Sequence, residues 1–369
     1  NHCRERSNGS YRQKKNNMNQ RLHLTIKEIT EETDDTKTIH FWHPIHNTIS
    51  YISGQFFTLI PEIDGQKIRR SYSLSSSPKT DTSPAITVKR IEGGLVSNYL
   101  CDHLKVGDSL EVIEPMGNFL IEPQADSSKT YVFVAAGSGI TPLFSMIKTV
   151  LHSEPKANIY LVYGSRNEQQ IIFKKSLESL ETQHASRFKM IHVISQPSHT
   201  WPGFKGRINQ ASMVFYLKQE FGIDIPAAFY YLCGPAGMMS EVEKSLAMFD
   251  VSETHILKEL FSCTVSEETA KAEEDGSLKT QEVTLIFEGK THTVTVLPSE
   301  TILEAALEAD IDIPYSCQAG MCTACMGLCT SGKVIMDEED GLTDNEIKKG
   351  YILTCVAHPM SEGVVINLD

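Results

Sequence analysis

No stretch of the 369-residue chain approaches the roughly 20 consecutive apolar residues that a membrane-spanning helix needs. The best run, YVFVAAGSGITPLFSMI, is interrupted by Gly, Ser, Thr and Pro, so no membrane span is expected. A basic field is missing as well. The formal net charge is −13, and nucleic-acid binders usually carry a positive face, so no nucleic-acid partner is expected. Residues 1–20, NHCRERSNGSYRQKKNNMNQ, have no apolar central region and do not read as a secretory signal. They predict a disordered start, with Met18 as the natural initiator. There is no internal repeat. The nine cysteines do not spread as a disulfide framework would: four crowd between Cys317 and Cys329, with Cys355 beside them in sequence. That clustering points to metal binding in a reducing, cytoplasmic setting.

What the chain does have is enough apolar side chain, 40%, for several cores, and a length that exceeds one core. Three blocks are expected. Residues 21–125 consist of short β-type runs punctuated by turn residues, the pattern of an antiparallel β-barrel. Residues 126–262 alternate apolar strands with amphipathic helices, which predicts an α/β domain on a parallel sheet. Residues 263–280 hold few large apolar side chains and many charges, as a flexible linker would. Residues 281–369 open with a hairpin, EVTLIFEGKTHTVTVLP, and continue into the helix SETILEAALEA, for which Ser299 is the expected N-cap.

Within this last block Cys317-x4-Cys322-x2-Cys325 is followed by Cys355, the plant-type spacing for a [2Fe-2S] cluster. Two irons bridged by two sulfides need four thiolates; one loop supplies three and a distant segment the fourth. Gly320 and the small residues Ser316, Ala319, Thr323 and Ala324 allow backbone amides to approach the sulfides. A structural zinc site is the competing reading, but a second C-x2-C pair or a matching histidine is missing. Cys329 has no ligand position in the pattern. Residues 281–369 resemble plant-type ferredoxin domains, which implies an α+β, β-grasp fold. The acidic run Asp337, Glu338, Glu339, Asp340, Asp344 and Glu346 is either a steering face for a basic acceptor or a solvated surface.

In the first block, Arg70-Ser71-Tyr72-Ser73 lies in a β-type run and VKRIEGGLVSNYL follows. An anionic cofactor with a flat aromatic head needs such groups: a guanidinium for phosphate, a ring for stacking, a hydroxyl for a ring nitrogen, and Gly93 and Gly94 at a helix start as an anion site. With EPMGNF further on, these segments resemble the flavin-binding barrel of the ferredoxin-NADP reductase superfamily. The resemblance implies that Arg70, Tyr72 and Ser73 contact the flavin. It further implies that Val88, Lys89 and Arg90 line the ring, and that Gly93, Gly94, Leu95, Val96 and Ser97 hold the phosphate. FAD is expected in preference to FMN.

The second block opens with a strand, a glycine turn and a helix, as a pyrophosphate site requires: Gly137, Ser138, Gly139 and Thr141 form the turn and Pro142 enters the helix. The full G-x-G-x-x-G fingerprint is absent. GSGITP, YGSR and YLCGPAGMM in this order resemble the nucleotide domain of the same superfamily. That resemblance sets Cys233, Gly234, Pro235 and Met238 against the nicotinamide, and Ser165 and Arg166 where the 2′-phosphate of NADPH would lie, NADH being the alternative. HILKELF resembles the superfamily's closing strand, which implies that Glu259 and Phe261 lie close to the flavin. Tyr72, Ser73, Cys233 and Glu259 are thus the expected catalytic residues. The domain order resembles the reductase components of multicomponent oxygenases, implying transfer of electrons from NAD(P)H through FAD and the cluster, singly, to a separate metalloprotein. A diaphorase acting on small acceptors and a non-enzymatic redox sensor are the rival readings.

Overall fold

The computed structural model describes residues 21–43, 45, 49–261, 267–274, 276–339 and 341–369. The expected disordered start, Met18, Cys263 and Asp340 lie outside them. The described chain falls into two compact units, one ending at Glu259 and the other beginning at Leu260.

The first unit begins with six antiparallel strands: β1 (Arg21–Thr33), β2 (Thr36–Trp42), β3 (Phe56–Leu59), β4 (Arg70–Ser73), β5 (Ala85–Lys89) and β6 (Ser109–Met116). They lie in the order β4-β3-β6-β1-β2-β5, and a bridge between Leu74 and Ile86 joins the two edges into a nearly closed barrel. Alternation directs the side chains: Leu24 and Ile26, Ile39 and Phe41, and Ile86 and Val88 all enter one core. Helix α1 (Leu95–His103) closes it with Val96, Leu100 and Cys101.

The same unit continues into a parallel sheet built from β7 (Thr130–Ala136), β8 (Asn158–Ser165), β9 (Phe188–Ile194), β10 (Phe204–Lys205), β11 (Phe229–Cys233) and β12 (Ile256–Glu259). Their order is β10-β9-β8-β7-β11-β12, with helices α2 (Ile140–Ser153), α3 (Lys174–Gln183), α4 (Gln210–Phe215) and α5 (Ala236–Ala247) between strands. Strand order reverses between β7 and β11, which makes their C-terminal ends the crevice where such sheets bind ligands.

In the second unit, α6 (Glu267–Glu274) lies inside the segment expected as a flexible linker, and it packs beside β16 (Val334–Met336). The reason is local: EETAKAEE is rich in helix formers, and Thr269 and Ala272, one turn apart, give it a buried side. A mixed sheet follows, of β13 (Gln281–Phe287), β14 (Lys290–Val296), β15 (Met326–Ser331), β17 (Tyr351–Leu353) and β19 (Val364–Asn367), in the order β14-β13-β19-β15-β17. β16 pairs with β18 (Ala357–Pro359). The β13–β14 hairpin turns at Glu288 and Gly289, with φ of 52° and 69°, as a tight two-residue turn demands. Helix α7 (Ile302–Glu308) buries Ile302, Leu303, Ala305 and Ala306 against the sheet, the arrangement of a β-grasp domain. Its N-cap is Thr301, not Ser299: Thr301 and Glu304 form a reciprocal capping box, whereas position 302, three residues after Ser299, is an isoleucine. The last helix is α8 (Asp344–Lys348). Among the described residues no helix is long and apolar enough to cross a membrane.

Candidate functional site

The flavin-type residues lie along one rim of the barrel. Arg70 is exposed at the start of β4, with its guanidinium against the Arg69 carbonyl at 2.8 Å. Tyr72 packs half-buried on the barrel core, and burial raises its phenol above the ordinary range, so it is a neutral ring. Ser73 donates from Oγ to Glu259 Oε2 at 3.2 Å. Glu259 ends β12 and is only 6% exposed.

Gly93 has φ of 72°, with open space where a Cβ would stand, and Gly94 begins α1, where a Cβ would press on Ser97 Oγ. The N-termini of α1, α2, α3 and α5 have no side-chain cap, whereas α4, α7 and α8 each carry a capping box; α1 and α2 also have open space at the glycine that leads into them, Gly93 and Gly137. Uncapped N–H groups beside open space fit the phosphates of a dinucleotide. Leu95 is exposed there, and the Ser97 hydroxyl accepts from the Ile91 amide at 3.2 Å.

Some expected contacts take another form. Val88 and Val96 point into the barrel core, so only their backbone faces the rim. Lys89 pairs with Asp35 at 3.6 Å, and Arg90 is held by Asp102 and Asn98. Sequence reasoning missed Asp102 and Asn98; their only signal was that α1 follows β5 after a short turn, which brings its second and third turns back beside Arg90.

At the crevice of the parallel sheet, Gly137 has φ of 56° and an open Cβ position, and the Tyr163 hydroxyl donates to its carbonyl at 3.0 Å. Thr141 Oγ1 donates to the Ser138 carbonyl at 2.9 Å, and Pro142 lies in the first turn of α2, where its missing N–H costs nothing. A Cβ on Gly139 would stand 2.1 Å from the Cys233 carbonyl oxygen, and one on Gly234 2.8 Å from Met238 Cε. The glycine turn and the Cys233–Gly234–Pro235 segment are thus in close backbone contact. Cys233 itself is 0% exposed, and burial, with the nearby Glu259, holds its thiol well above its usual range. It is therefore a neutral thiol packed in the core of the domain. Ser165 is buried at the end of β8 and Arg166 is exposed after it. Phe261, in the other unit, is also exposed.

In the ferredoxin-type unit the loop before β15 brings the four cysteines together. Cys322, Cys325 and Cys355 are buried and Cys317 is half-buried. The four sulfurs form one connected set: Cys322 and Cys355 both lie beside Cys317, and Cys325 is 3.3 Å from Cys355. The thiols of Cys322 and Cys355, together with the amides of Ala319 and Met321, hold the Cys317 thiol well below the usual cysteine range. Among the described residues no three His, Cys, Asp or Glu side chains are placed to hold a single metal ion. Four thiolates are what two bridged irons need, three from the loop and the fourth from Cys355. Gly320, with φ of 68°, has no room for a Cβ against Glu338, and its carbonyl accepts from the Gly341 amide at 2.9 Å. Cys329 lies apart on β15 with its sulfur at the Ser331 carbonyl.

Residues 23–121 match the family described as the oxidoreductase FAD-binding domain, 133–244 the oxidoreductase NAD-binding domain, and 285–360 the 2Fe-2S iron-sulfur cluster binding domain. The chain is 33% identical to a component of 1,2-phenylacetyl-CoA epoxidase from Escherichia coli K12, over 94% of this chain and 97% of that protein. It is also 33% identical to the ferredoxin reductase component of 3-ketosteroid-9-alpha-monooxygenase from Mycobacterium tuberculosis, over 94% and 96%. Among solved structures, phthalate dioxygenase reductase superimposes with a TM-score of 0.63 at 25% identity, covering 94% of this chain and 98% of that one. The uncapped helix starts, the close glycine turn and the gathered cysteines thus stand within a shared sequence and architecture: the chain belongs to the ferredoxin-NADP reductase superfamily, as an FAD-, pyridine-nucleotide- and [2Fe-2S]-binding oxidoreductase with a C-terminal plant-type ferredoxin domain.

Proposed function

We propose that this reductase takes electrons from NADPH and delivers them, one at a time, to a separate oxygenase-type metalloprotein in the cytoplasm. The observation that carries this reading is the four-cysteine site on the same chain as the flavin barrel. When bound, FAD accepts a hydride and releases single electrons, and the cluster carries one at a time. Every other task belongs to the protein. Arg70 and the N–H groups of Leu95 to Ser97 bind phosphate, Tyr72 offers a neutral ring, and the Ser73–Glu259 pair holds a hydroxyl and a carboxylate at the rim. Gly137 to Thr141 cradle the pyrophosphate of the nucleotide, and the Cys233–Pro235 segment shapes the nicotinamide side by packing.

Exposed Arg166, next to Ser165 at the end of β8, supports NADPH as the donor, since a guanidinium matches a 2′-phosphate. The partner assignment is supported by the relatives, which are components of an epoxidase and a monooxygenase. Free thiols among the described residues agree with a reducing compartment. The test is an anaerobic absorbance titration with NADH and then NADPH. Bleaching of the flavin followed by the cluster, at lower NADPH than NADH, is the expected result. Flavin reduction without cluster bleaching would instead favour a diaphorase.

A further inference from the structure

The outer face of α2 carries Ser145, Lys148 and Thr149 at i, i+3 and i+4, so they point one way while its apolar residues face the nucleotide-domain core. That polar face meets the barrel. Thr149 Oγ1 lies 2.6 Å from Ser53 Oγ and 2.6 Å from Ser77 Oγ, and all three hydroxyls are buried. With one proton to give, Thr149 donates to one serine and accepts from the other. Ser145 Oγ donates to the Ser76 carbonyl at 2.5 Å, and Lys148 pairs with Asp81, whose other bond is from the Ser77 amide at 2.6 Å.

Both ends of this seam lead to a cofactor site. Residues 74–77 continue directly from β4, which carries Arg70, Tyr72 and Ser73, and α2 continues directly from the Gly137–Gly139 turn. Further ties between the same two bodies are Ser73 to Glu259 at the end of β12 and Gln170 Nε2 to Asp35 Oδ2 at 3.1 Å. Each further tie between two bodies removes a way for them to pivot. We propose that the Ser53–Thr149–Ser77 hydroxyl chain, with Ser145 on the Ser76 carbonyl, positions the glycine turn relative to the flavin strand and so sets the distance of hydride transfer. Thr149 and Ser145 are positioning residues, because they act through the turn and the strand and not on the reacting atoms. The inference rests on the hydride reaction of the family and is independent of the acceptor and of the choice between NADH and NADPH.

The test compares Thr149→Val, which keeps the shape and removes the hydroxyl, with Thr149→Ser, which keeps the hydroxyl. Each holoprotein is mixed anaerobically with saturating NADPH or NADH and flavin bleaching is followed in stopped flow. Thr149→Val is expected to slow flavin reduction by on the order of tenfold or more, because small misplacements of reacting atoms are expensive. Its KM for the nucleotide should stay within about twofold, and Thr149→Ser should restore the rate. Hydrogen exchange supplies a readout apart from activity: amides of 74–81 should lose protection in Thr149→Val and keep it in Thr149→Ser. Ser145→Ala is read the same way should Thr149→Val not accumulate as folded holoprotein. An unchanged reduction rate, a matched loss of flavin and nucleotide binding with no separate effect on rate, or no rescue by serine would each overturn the proposal.

Discussion

His192 shows how burial acts on a single side chain. It stands on β9 beside Tyr163, ring centroids 5.8 Å apart, with neither ring nitrogen hydrogen-bonded. Burial, aided by the charge of Lys174, lowers its pKa from 6.5 to about 4. Between these values the unfolded chain binds a proton that the folded chain does not, so stability is full above about pH 6.5 and falls as the pH drops toward 4. The loss is at most about 3 kcal/mol. Urea unfolding at pH 7 and pH 5 should reveal it, and His192→Leu should flatten the difference. The Ser73–Glu259 pair makes a second case. Removing the hydroxyl by Ser73→Ala strands a buried carboxylate without that donor, at a cost of about 1–3 kcal/mol, and is expected to lower the rate of flavin reduction more than it raises KM for the nucleotide.

Among elements, the ends matter most. Thr301→Ala removes the reciprocal bonds with Glu304 and is expected to cost about 1 kcal/mol of ferredoxin-domain stability, whereas Ser299→Ala should cost almost nothing; thermal unfolding followed by cluster absorbance separates the two. The sequence alone marks a cap near this point but does not rank Ser299 against Thr301 until the acid three residues on is counted. At the start of α2 the constraint is steric. Gly139→Ala would force a Cβ to 2.1 Å from the Cys233 carbonyl, and neither backbone can yield cheaply. We expect a loss of about 3 kcal/mol together with weakened nucleotide binding, measured by calorimetric titration with NADPH. A glycine pattern in the text suggests a turn; only the folded sheet, which lays β11 beside β7, shows what that glycine must avoid. The segment 263–280 teaches the opposite lesson. Its charge suggests a linker, yet α6 forms there with Thr269 and Ala272 buried, because helix propensity needs little apolar area once a neighbour is present.

For the whole molecule, carriers held on separate domains should be separable in function. Cys322→Ser is expected to abolish electron delivery to the protein acceptor while NAD(P)H-dependent ferricyanide reduction by the flavin persists; equal loss of both would contradict separate carriers. The domain order, the barrel and parallel-sheet classes and the three cofactors were legible in the linear text. Each is written in local spacing: alternation in strands, a glycine turn between strand and helix, and cysteines whose separation one loop can span. What no local pattern contains is the pairing of residues far apart in the chain. That Arg90 is held by Asp102, that Cys233 is sealed in a core, that Ser73 meets Glu259, and that Thr149 joins two serines of the barrel were decided by packing. Periodicity states which face of an element is buried, and only the docking of elements states against what.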